Sequence, residues 1–90
     1  MDDEALYQIL VELMEKLSIK VVRKNLQDEE FKISGGFCKV RGENVMILDT
    51  RVPLREQVEL LARELTHQNL EDVFVPPVVR EFIEEISGSL

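Results

Sequence analysis

The sequence predicts an α+β fold: a small three-stranded, largely antiparallel sheet packed by helices, in the order α-β-β-β-α-α, within one domain over residues 1–90. Three observations predict it. Apolar residues recur at helical spacing in three separate stretches, Leu6 to Leu17, Leu54 to Leu65 and Val79 to Ile86. Between the first two lie strand-length runs rich in β-branched and apolar residues, Ile19 to Lys24 and Val45 to Asp49. Gly42-Glu43 separates the second run from Gly36 to Arg41 as a tight hairpin turn does.

In chain order, Asp2, Asp3 and Glu4 put negative charge at the head of the first helix, where its dipole favours it. Leu6, Leu10, Leu13 and Leu17, widened by Ile9 and Met14, form the buried stripe. In the first strand, Ile19 and Val21 face one way and Lys20, Val22 and Lys24 the other. Asn25 to Glu30 is a polar loop, after which Phe31 and Ile33 reach toward the core.

Glycine first and glutamate second at the hairpin tip suits a type II′ turn, which pairs Val40 with Val45 and Cys38 with Ile47. The expectation is that helices cover this face. The other face then carries Phe37, Lys39, Arg41, Met46 and Leu48, either an apolar patch with a basic rim of the kind that marks a protein partner or self-association, or a face covered by Phe31, Ile33 or the last helix.

The next helix is expected from Pro53 to Asn69. Proline is tolerated at the first helical position, and asparagine tolerates the left-handed geometry of a stop. Leu54, Val58, Leu61, Ala62 and Leu65 make its stripe; Leu60, Glu64 and His67 share a second face, with Arg63 alongside and within reach of Glu59. After Pro76, Pro77 opens a last helix with Val79, Phe82, Ile83 and Ile86 inward, and Ser87 to Leu90 frays.

Composition bounds the function. Eighteen acids against 11 bases give a net charge of −7, which opposes nonspecific binding to a phosphate backbone. Nucleic acid is therefore disfavoured as a partner. Lys20, Arg23, Lys24, Lys32, Lys39 and Arg41 are nonetheless the residues that an accessory nucleic-acid-binding protein would use. No apolar run approaches the ~20 residues that span a bilayer, and no membrane association is expected. The acidic start Met1-Asp2-Asp3-Glu4 is the reverse of a signal peptide's basic one, so the expected compartment is the cytoplasm. The single cysteine, Cys38, excludes an intrachain disulfide, and no cofactor motif is present.

The sharpest motif is Arg63-Glu64-Leu65-Thr66-His67, one residue from the H-E-x-x-H of zinc peptidases. Glu64 stands where the general base stands and His67 where the second ligand stands. Arg63 occupies the first ligand's place, and a guanidinium has no lone pair to give a cation. His67 is thus the only candidate ligand in the motif, and no metal is expected. Cys38 with His67 as nucleophile and base is a further enzymatic option only if the two approach within hydrogen-bond reach.

From Leu13 to His67 the chain resembles the zincin-like ImmA/IrrE metallopeptidase family. Ser18-Ile19-Lys20-Val21-Val22 is similar to its G-I-x-V-type strand, Val45 to Asp49 to its I-x-V-N/D strand, and Ala62-Arg63-Glu64-Leu65-Thr66-His67 to its A-H-E-L-G-H. Phe74-Val75-Pro76 is similar to a segment after that family's third ligand. The departures are Arg63 and the missing further helix that supplies the third ligand. The resemblance implies a truncated, degenerate zincin-like scaffold that has lost its metal and serves as a protein-interaction or regulatory module. The alternative it leaves is a zinc-dependent hydrolase using Glu64 and His67.

Overall fold

The computed structural model describes residues 1–27 and 35–88. The expected inward reach of Phe31 and Ile33 lies outside these residues, as does Lys32. The elements run α1 (Asp3–Lys16), β1 (Ile19–Lys24), β2 (Gly35–Val40), β3 (Glu43–Asp49), α2 (Leu54–Leu65) and α3 (Pro77–Gly88), an α+β arrangement in the expected order.

The first helix begins at a cap. The Asp2 carboxylate accepts from the Ala5 N–H at 2.8 Å, satisfying one of the amides that a helix start leaves without a partner. Its inward stripe is Leu6, Leu10, Leu13 and Met14. Ser18, at φ 62°, turns the chain from α1 into β1.

The sheet is mixed, in the order β1-β3-β2. β2 and β3 pair antiparallel, but β1 runs parallel to β3, which corrects the expectation of a largely antiparallel sheet. The hairpin tip is also one residue earlier than expected. Arg41 and Gly42, at φ 52° and 82°, are the two central residues. Left-handed geometry at both is a type I′ turn, whose twist matches that of the flanking strands. Val40 therefore opposes Glu43, and Cys38 opposes Val45.

That two-residue shift in pairing leaves each side chain on the face expected for it, but the helices cover the other face. Met46 and Leu48 are buried in the main core with Ile19, and Val21 packs against it. The cause is the β1–β3 register, which sets Val21 beside Met46 and Ile19 beside Asn44. The apolar side of β1 and the Met46/Leu48 side of β3 are one surface. Lys20, Val22 and Lys24 share the opposite surface with Val45, Ile47 and Asp49.

On the covered side, α2 contributes Val58, Leu61, Ala62 and Leu65, and α3 contributes Val79, Phe82 and Ile83. Each fully buried leucine or valine here is worth about 1.5–3 kcal/mol against exposure. Arg55 joins all three helices: its Nη1 donates to Asp3 at 3.1 Å, its Nε to Glu59 at 3.3 Å, and its guanidinium lies 4.9 Å from the Phe82 ring centre. Glu59, expected within reach of Arg63, is thus engaged by Arg55.

Pro53 is the cap of α2, extended at ψ 150°, not its first helical residue. The helix is also shorter than expected, ending at Leu65. The Thr66 hydroxyl donates to the Arg63 carbonyl at 2.6 Å. The His67 and Gln68 amides then reach back three residues, to Glu64 and Leu65, and the last turn tightens and stops.

Candidate functional site

The near-motif on α2 does not assemble as a site. Glu64 is half-buried, and its Oε2 accepts from the Gln68 side chain at 3.0 Å. His67 is exposed and lies two residues beyond the helix end, on a tightened turn. Arg63 is half-buried, with a buried Nε that has no partner among the described residues. Among these residues no group of three His, Cys, Asp or Glu side chains is placed to hold a metal ion. An open cleft of about 230 Å³ beside the end of α2 is lined by Leu65, Thr66, Gln68 and Arg80, and neither Glu64 nor His67 lines it.

Cys38 is a half-buried free thiol on the sheet face opposite the helices, in register with the buried Val45. His67 follows α2 on the covered side. No hydrogen bond joins the two among the described residues.

The five residues expected to form one exposed face separate. Met46 and Leu48 are 2% and 0% exposed and belong to the core. This corrects their assignment to an interaction surface, for the register reason given above. Phe37 is 40% exposed, Lys39 is exposed, and Arg41 stands in the hairpin turn. The basic residues separate too. Lys20 and Lys24 lie on the face opposite the helices. Arg23 turns to the covered side and stacks 5.2 Å from the Tyr7 ring centre. Burial pushes the Tyr7 hydroxyl above its usual range, against the opposing pull of Arg23.

What does come together is the outer edge of β2. The strand order makes β2 and β1 the two sheet edges among the described residues. β1 carries Lys20, Arg23 and Lys24, charges that discourage a further strand. β2 is Gly35-Gly36-Phe37-Cys38-Lys39-Val40, with a single charge, and both Phe37 and Val40 are substantially exposed. Among the described residues the helices pack chiefly over β1 and β3. Residues flanking a type I′ turn form a hydrogen-bonded pair, and such pairs alternate along the ladder. Val40 and Cys38 therefore spend their backbone groups on β3, while those of Phe37 and Lys39 point outward. Sequence reasoning missed this edge; the signal for it was a short strand of low charge between a double glycine and a hairpin.

No family model, curated protein or solved structure matches this chain. The functional reading accordingly rests on the residues themselves. No helix among the described residues is long and apolar enough to cross a membrane.

Proposed function

We propose that this chain is a non-catalytic protein-interaction module, built on a zincin-like order of elements without a metal site, which binds by accepting a further strand on the outer edge of β2. The observation that carries the reading is that edge: outward backbone groups at Phe37 and Lys39, exposed apolar side chains at Phe37 and Val40, and helices that among the described residues pack chiefly over the other two strands. Main-chain hydrogen bonds along such an edge give affinity, and the flanking side chains give specificity. The loss of a ligand at Arg63 and the placement of His67 past the helix end both weigh against hydrolysis through Glu64.

The test is Lys39→Pro. Proline there removes an outward N–H and leaves the β2–β3 ladder intact. A photo-crosslinking side chain at Val40 should capture a protein with the parent and lose it with Lys39→Pro, while the thermal melts stay close. Identical capture by both proteins would overturn the reading.

A further inference from the structure

We infer that one occupant of the β2 edge is a second copy of this chain, paired antiparallel about a two-fold axis at Cys38. This rests on the reading that the edge accepts a strand. An isologous contact must be self-complementary, because the same residues meet from both sides. Only outward-facing residues can form the hydrogen-bonded pairs of the new ladder, which means Phe37 and Lys39. Centring the axis on Lys39 sets lysine against lysine, which is destabilising, and centring it on Phe37 pairs the two rings but sets each Lys39 against Gly35, which offers the ammonium no partner. Centring it on Cys38 opposes Phe37 to Lys39 of the second copy, and Lys39 to Phe37. Each ammonium then meets an aromatic ring, a favourable pair.

The sizes match in the same register. Val40, 47% exposed, falls opposite Gly36, where a Cβ would find nothing within 4 Å. The two copies' helices lie on the same side of the joined six-stranded sheet, and within each copy they pack chiefly over β1 and β3 rather than over the joining strand. Cys38 meets Cys38 in a non-hydrogen-bonded pair, where Cα atoms stand about 4.5 Å apart, within reach of a disulfide. So short an edge makes a small interface, and the association is weak.

Charge sets the salt dependence. Each copy carries −7, so screening the mutual repulsion tightens the dimer as salt rises. An acidic peptide seated on Lys39 and Arg41 would loosen instead.

The experiment is sedimentation of the reduced full chain between about 10 μM and about 1 mM, at low and high salt, with copper-phenanthroline oxidation of Cys38 alongside. The expected result is a dimer that strengthens with salt and cross-links faster than Lys39→Pro at equal concentration. Phe37→Lys should weaken it about tenfold by opposing Lys39, whereas Phe37→Glu, which removes the same ring, should retain it. Net charge alone would order those two variants the other way. A chain that stays monomeric throughout, or equal cross-linking of parent and Lys39→Pro, overturns the second-copy inference. In that event the strand-accepting reading stands or falls separately, by capture at Val40.

Discussion

Asp49 and Arg51 clasp each other across a single residue at the exit of the sheet. Asp49 Oδ2 accepts from Arg51 Nη2 at 2.6 Å and from Nε at 3.0 Å, while Oδ1 accepts from the Arg51 backbone N–H at 3.0 Å. The Asp49 side chain is 2% exposed and that of Arg51 46%. Next to it, the Thr50 backbone N–H donates to the Lys24 carbonyl at 3.1 Å, which ties the end of β1 to the end of β3. The link fixes where β3 stops and α2 can start. One residue after Arg51, the Val52 carbonyl accepts from the buried Gln57 side chain at 2.9 Å.

A pH dependence follows. Hydrogen bonds from the Arg51 side chain, then from its backbone, hold the Asp49 carboxyl down to about 2. An unfolded aspartate titrates near 3.9. The folded value is the lower one, so the stabilisation is fully present above about pH 4 and is lost as pH falls toward about 2. Melting temperatures of the parent and Asp49→Asn should therefore differ most at neutral pH and converge through that window. Curves that stay parallel down to pH 2 would mean the carboxylate is not the group responsible.

The two sides of α2 should respond very differently to truncation. Leu61 is fully buried in the main core, and Leu61→Ala should cost about 2–5 kcal/mol by urea denaturation. Arg63→Ala removes a half-buried guanidinium whose Nε gains no bond among the described residues, and should cost about half a kcal/mol or less. A large loss at Arg63 would reveal a polar network around it.

Metal removal should leave stability unchanged. A ligand that binds only the folded state raises the melting temperature, so a structural or catalytic zinc would be exposed by chelation. With Arg63 unable to coordinate and His67 beyond the helix end, dialysis against a chelator should not shift the melt, and His67→Ala should behave as the parent does. A zinc-induced rise abolished by His67→Ala would restore the hydrolase reading.

The elements governed by local pattern were legible in the sequence. Leu6, Leu10 and Leu13 mark α1, Val79, Phe82 and Ile83 mark α3, and the Ile19/Val21 alternation gives the inward side of β1. The pairing of β1 with β3 joins distant residues and has no local signature, so the covered face of the hairpin was not readable from its own alternation. The end of α2 turns on one hydroxyl, that of Thr66, which competes with the helix for the Arg63 carbonyl. The near-motif read as one helical unit only because that competition is invisible in a five-residue pattern. The β2 edge depends on what packs above it, which is again a tertiary fact.

The hairpin tip provides the last prediction, because the outward direction of Phe37 and Lys39 depends on it. With Arg41-Gly42 as the turn, position 41 is left-handed, at φ 52°. Asparagine tolerates that geometry and is favoured before glycine in a type I′ turn, so Arg41→Asn should stabilise the protein. A β-branched side chain resists it, and Arg41→Val should cost about 1–2 kcal/mol. If Gly42-Glu43 formed the turn instead, position 41 would be an ordinary strand residue. Valine would then be welcome there and asparagine would not. Urea denaturation of the two variants separates the registers by the sign of each effect. A stabilising Arg41→Val would move the pairing by two residues, replace the Val40–Glu43 contact with Val40–Val45, and set Phe37 opposite Leu48 instead of Met46.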